Sequence, residues 1–149
     1  MHRATPRHAE SGWTDGWYAV PHEVTWRDLD AAGHVNNAVY FTYFEWARTK
    51  YWYDLHGSEP TLENLDFIVA RAECDFREQL AMKDRIDICV RISELRNSSF
   101  DFEYAIRKSD GSEIAATGKV VMVLYSWATK SKLRVTDELR QKVARFQGE

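Results

Sequence analysis

Four stretches between residues 68 and 124 alternate side chains with a period of two, and that pattern constrains the fold more than anything else in the chain. In the first, Ile68, Ala70, Ala72, Cys74 and Phe76 alternate with Val69, Arg71, Glu73 and Asp75. Next, Ile86, Ile88, Val90 and Ile92 alternate with Asp87, Cys89 and Arg91. Phe100, Phe102, Tyr104 and Ile106 then stand against Asp101, Glu103, Ala105 and Arg107. After a Ser109-Asp110-Gly111-Ser112 turn, Ile114, Ala116, Gly118, Val120, Met122 and Leu124 stand against Glu113, Ala115, Thr117 and Lys119. Such runs, joined by short connections, are antiparallel strands with one buried face. A further strand is expected from Tyr18 to Trp26, with Pro21 at an edge or bulged position. A one-sided sheet needs a cover.

The cover is a helical stretch from about Asn37 to Leu55, roughly 28 Å long at 1.5 Å per residue, with Gly57 as its stop. Eight of the chain's 20 aromatic residues fall between Tyr40 and Tyr53. Turning 100° per residue places Tyr40, Phe44, Ala47, Tyr51 and Leu55 on one stripe and Asn37, Phe41, Glu45, Arg48 and Trp52 on its neighbour. Val39, Trp46 and Tyr53 lie round the far side. A helix with bulky groups on nearly every face is not an ordinary surface helix; it should be enclosed by the sheet and by a second subunit. A short terminal helix is expected after Thr136, with Asp137 and Glu138 in its first turn and Leu139, Val143 and Phe146 as its apolar stripe. The sum is an α+β domain, one long helix on an antiparallel sheet of about five strands, occupying residues 17–149. Residues 1–16 are expected to be a loose tail, and residues 58–65 a polar link containing Pro60.

Composition closes several alternatives. A net charge of −3 argues against a general nucleic-acid binder. No apolar run is long enough for a membrane span, and the polar N-terminus lacks a signal-type core, so a cytoplasmic location is expected. Cys74 and Cys89 then read as packing thiols.

Chemistry concentrates in Asp28-Leu29-Asp30-Ala31-Ala32-Gly33-His34-Val35-Asn36-Asn37. A calcium loop starting at Asp28 fails, with Ala32 and Val39 at the fifth and twelfth positions. The five histidines show no zinc spacing, so no metal is expected. Asp28, Asp30 and the two Asn suit a helix cap. Equally, the loop sets a carboxylate just before a helix N-terminus, whose free N–H groups suit a developing oxyanion. A carboxylate there can attack an acyl carbon or activate water. Glu45, two turns on, would share the cleft and pair with Arg48.

The run TWRDLDAAGHVNNAVYFTYFEWAR, Thr25 to Arg48, resembles the signature of hotdog-fold acyl-CoA thioesterases of the 4-hydroxybenzoyl-CoA type: a strand, D-x-D-x-x-G-x-V, then a long helix with an acidic residue. The likeness extends more diffusely from Tyr18 to Ser126. It implies the hotdog fold, a homodimer or homotetramer whose sheets join, and active sites at the subunit interface. By the same likeness Asp30 is nucleophile or general base, the N–H near Asn37 polarises the thioester carbonyl, and Glu45 is the acidic helix position; His34, outside the shared pattern, either orients water or substrate or only stabilises the loop. Val35, Asn36, Tyr40, Phe41, Phe67, Ile68 and Val69 are the residues expected to hold substrate. The His34-Val35-Asn36-Asn37 variant is also similar to acyl-ACP thioesterases, which leaves the carrier open between coenzyme A and acyl carrier protein; Lys130, Lys132 and Arg134 read first as a solvated terminal segment and only second as positive charge for either. No cofactor is implied beyond the coenzyme A of the substrate. A hotdog module that binds acyl thioesters without turnover is the competing reading, and a dehydratase ranks below both because its Asp–His spacing is absent.

Overall fold

A computed structural model describes residues 11–57 and 66–149. The strands are β1 (Gly12–Thr14), β2 (Trp17–Glu23), β3 (Phe67–Phe76), β4 (Arg85–Leu95), β5 (Ser99–Lys108), β6 (Ile114–Ser126) and β7 (Ser131–Lys132); the α-helices are α1 (Asn37–His56) and α2 (Asp137–Gln147). The sheet runs β1-β2-β4-β5-β6-β3, every pairing antiparallel, with β7 added to β6. The expected five strands thus become seven among the described residues. Part of the difference is the supposed tail: Gly12–Thr14 pairs with Trp17–Ala19. Residues 1–10 and the link 58–65 lie outside the described residues. β2 ends at Glu23, so Trp26 sits in a following 3-10 turn and is exposed. β1 reaches only to Ala19, which leaves Pro21 on a stretch of β2 paired on one side, where its missing N–H costs no ladder bond.

α1 lies on one face of this sheet. Its stripe of Tyr40, Phe44, Ala47, Tyr51 and Leu55 is buried throughout, and so are Ile86, Ile88, Val90, Phe100, Phe102, Tyr104 and Ile106 facing it. Phe44 stacks on Tyr104 with ring centroids 4.2 Å apart, a contact worth about 1 kcal/mol beyond simple burial. Gly118 makes the approach possible: a Cβ there would stand 2.5 Å from Phe44 Cε2 and 2.9 Å from the Glu73 carbonyl oxygen. Gly57 ends α1 in the left-handed region at φ 70°, its N–H donating to the Tyr53 carbonyl. Thr136 caps α2 by accepting the Leu139 N–H at 3.1 Å. Phe146 of α2 closes an aromatic cluster with Trp13, Tyr18 and Tyr51, while Gln147 bonds both the N–H and C=O of Ile92. Both cysteines are free thiols, raised by burial to about 11.

Two faces depart from simple alternation, each at a bulge. In β3 the register shifts between Val69 and Arg71, so Phe67 and Val69 pair with buried Leu124 and Met122 on the helix side, whereas Ile68 pairs with Val123. Ala72, Cys74 and Phe76 keep the expected face. In β6 the shift opposite Arg107 leaves Ile114 exposed, while both Ala115 and Ala116 are buried. One inserted residue flips everything beyond it.

Candidate active site

The loop before α1 is built from local hydrogen bonds. The Asp30 N–H donates to the His34 carbonyl at 2.9 Å, the Gly33 N–H to the Asp30 carbonyl at 3.0 Å, and the Ala32 N–H to Asp30 Oδ1 at 2.9 Å. This is a tight turn stabilised by an Asx contact, with Gly33 at φ 82° where a side chain would be strained. Leu29 and Val35 bridge across its base. Among the described residues Asp30 Oδ2 receives no hydrogen bond, so the carboxylate keeps a free oxygen.

Asn36 holds the helix start. Its Oδ1 accepts the Ala38 N–H at 2.9 Å and its carbonyl accepts the Val39 N–H at 2.9 Å. Asn37 is the first helical residue, so its N–H has no intrahelical acceptor, and among the described residues it has no other. One donor therefore stands open at the positive end of a 20-residue helix.

Asp30, His34, Val35, Asn37 and Tyr40 share one cleft of about 240 Å³. Its opposite wall is Phe76, Arg77, Glu78 and Gln79. The wall is placed by backbone contacts: the N–H groups of Arg77 and Glu78 both donate to the Ala115 carbonyl, and the Val35 N–H donates to the Leu80 carbonyl at 2.8 Å. Tyr40 meets Phe76 edge-on at 5.0 Å, and burial raises its hydroxyl above the ordinary phenol value. The 76–79 wall escaped the sequence reading because nothing local ties it to residues 30–40.

Other expected site residues stand elsewhere. Asn36 is exposed at the loop's end and does not line the cleft. Glu45 does not line it either; its side chain is 66% exposed, with Arg48 Nη2 at 3.9 Å. Phe41 packs edge-on against Phe44. Phe67 lies against Trp52, some 22 Å along the helix from Asn37, and Ile68 and Val69 follow it. Lys130 and Lys132 belong to the exposed β6–β7 hairpin at that far end. Arg134 there lines a second cavity of about 290 Å³ with His56, Trp52 and Lys142.

The profile of the Thioesterase-like superfamily matches residues 24–143, which span the loop, α1, strands β3 to β7 and most of α2. The chain belongs to this superfamily. Two proteins similar to this thioesterase-like chain are YsmA of Bacillus subtilis, 30% identical over 79% of this chain and 79% of its own length, and the long-chain acyl-CoA thioesterase FadM of Escherichia coli, 27% identical over 77% and 88%. A thioesterase from Thermus thermophilus, solved with coenzyme A and Zn, superposes with a TM-score of 0.80 at 32% identity, covering 91% of this chain and 98% of that one. The thioesterase-like fold is the hotdog that the Thr25–Arg48 signature implied. The matches name the superfamily and not its 4-hydroxybenzoyl-CoA type. Among the described residues of this thioesterase-like chain, no helix is long and apolar enough to cross a membrane.

Proposed function

We propose that the protein hydrolyses acyl-CoA thioesters to a carboxylic acid and free coenzyme A. The observation that carries this reading is the juxtaposition, in one cleft, of Asp30 with a free carboxylate oxygen and Asn37 at a helix start with a free N–H. The Asn37 N–H binds the thioester carbonyl and gains strength as negative charge builds on that oxygen. Asp30 either attacks the carbonyl carbon, expelling the thiolate and forming an anhydride that water cleaves, or takes a proton from the attacking water. His34, on the same loop, orients that water.

An apolar track supports an acyl substrate. The helix-side row of β3 begins in the cleft at Phe76, which is 45% exposed, and continues through Cys74 and Ala72 to Val69, which is 49% exposed. β3 also pairs on one side only, and ten residues of free edge invite a second copy of the chain. A homodimer joined there encloses the track and brings Phe67, Ile68, Val69, Phe41 and Glu45 to the interface, where the family resemblance locates the remaining substrate contacts.

Thiol release from a panel of acyl-CoAs tests the reading, with wild type beside Asp30→Asn. Hydrolysis of at least one member, and its loss by a factor of about 10³ or more in the variant, is expected. Equal rates in the two proteins overturn the role of Asp30.

A further inference from the structure

We propose that His22 and Asp28 form a positioning pair that fixes the Asn36–Asn37 peptide. The link to rate rests on the thioesterase reading above; the link to the peptide rests on geometry alone. Asp28 stands two residues before Asp30 yet is 8% exposed and lines no part of the cleft. Its Oδ2 accepts the Thr25 N–H at 3.0 Å and lies 3.0 Å from His22 Nε2. Burial pushes this carboxyl up, but the Thr25 N–H, His22 and Tyr43 together outweigh it and leave it below its ordinary value. An ionised carboxylate only accepts, so His22 Nε2 carries the proton in this bond.

A cap for a three-residue 3-10 turn needs neither burial nor a histidine from a neighbouring strand. The arrangement instead ties three elements together. Asp28 belongs to the turn, and His22 belongs to β2. The imidazole ring packs against both Tyr43 and Trp46 of α1, with centroids 5.0 and 5.1 Å away. The Asp28 carbonyl then accepts the Asn36 N–H at 2.9 Å. Asn36 is thereby gripped on both sides, by Asp28 at its N–H and by the Ala38 N–H at its side chain. The peptide between Asn36 and Asn37 lies between these two holds, and they set the direction in which the Asn37 N–H points. Catalytic donors must be held to about 0.5 Å, and a misplacement of about 1 Å can cost about 100-fold. His22 and Asp28 supply that hold from outside the cleft.

The test replaces His22 by Met, which keeps bulk against Tyr43 and Trp46 but cannot donate, and by Gln, which restores an N–H near the Nε2 position. With the acyl-CoA that wild type hydrolyses, His22→Met should lower kcat by about 10- to 100-fold with KM within about twofold, and His22→Gln should recover most of the loss. Rates are taken per folded molecule, well below each variant's Tm, so a merely structural pair would move Tm and leave kcat alone. In parallel, the Asn37 amide ¹H–¹⁵N cross-peak should shift in His22→Met and return toward its wild-type position in His22→Gln. An unmoved Asn37 amide, or a kcat within twofold of wild type, overturns the proposal while leaving the role of Asp30 standing. If wild type hydrolyses no acyl thioester, the thioesterase reading fails, and the amide measurement alone decides whether the pair positions the peptide.

Discussion

Replacing Asn37 by proline isolates the atom on which the proposed chemistry depends. Proline lacks the backbone N–H, and at the first position of a helix that N–H makes no intrahelical bond, so the fold loses nothing when it goes. The ring needs φ near −65°, which the start of α1 supplies, and the preceding residue must be extended. Asn36 already is, at φ −62° and ψ 138°. The Ala38 N–H to Asn36 Oδ1 bond and the Val39 N–H to Asn36 carbonyl bond both survive. Tm should therefore stay within about 3 °C of wild type. Removal of one oxyanion donor costs about 2.7–4 kcal/mol of transition-state stabilisation, so kcat should fall by about 10²- to 10³-fold. Asn37→Ala is the control, because it removes the side chain that lines the cleft and keeps the N–H; its kcat should stay close to wild type. Both constants are read from thiol release under steady state. Wild-type kcat in Asn37→Pro refutes the assignment, and equal damage in Asn37→Ala would move the function to the side chain.

Two further perturbations probe the scaffold. Gly118→Ala places a methyl 2.5 Å from Phe44, which is fully buried and cannot retreat from Tyr104, so overpacking of about 1–3 kcal/mol should exceed the roughly 0.4–1 kcal/mol gained from a stiffer unfolded chain; urea titration at fixed protomer concentration should show the loss, and it should shrink but not vanish in a Phe44→Leu background, because the Glu73 carbonyl stays 2.9 Å from the added methyl. Asp101 accepts two hydrogen bonds from Arg96, at 2.5 and 3.0 Å, and these hold its carboxyl below the ordinary value against the opposing effect of burial. A folded-state value below the unfolded one stabilises fully above about pH 4 and is lost as pH falls through the folded value, so Arg96→Ala should destabilise by about 1–2 kcal/mol at pH 7, with the gap from wild type narrowing below pH 4; a gap independent of pH would deny the pair its role.

What could be read from the sequence was whatever is decided within a few residues of itself. The Asp30 turn, the Asn36 cap and the Thr136 cap are all contacts between near neighbours, and residue types with short polar side chains announce them. On β4 and β5 the alternation of Ile86 to Ile92 and Phe100 to Ile106 predicted the helix-facing residues, all of which are buried, but not that Cys89, Asp101 and Ala105 on the opposite face are buried as well. It failed at Ile68 and Ile114 because bulges arise from how two strands pair, and neither strand alone carries that information.

The site follows the same division. The loop side of the cleft, Asp30 to Asn37, was legible as a turn and a helix start because it is one continuous segment. The rest of the site was not: Phe76 to Gln79 and the His22–Asp28 pair reach the loop through strands distant in sequence. The aromatic circumference of α1 resolves in the same way. The sheet accounts for the Tyr40–Leu55 stripe, and His22 and Tyr43 account for one side of Trp46, which remains 43% exposed. On the neighbouring stripe Arg48 and Trp52 are buried, Trp52 against Phe67 and Phe100, while Phe41 is half-buried and Glu45 is exposed. The homodimer proposed at the free edge of β3 would cover the exposed Val69 and Phe76 of that strand, so a chain that stays monomeric at working concentration would refute that part of the proposal.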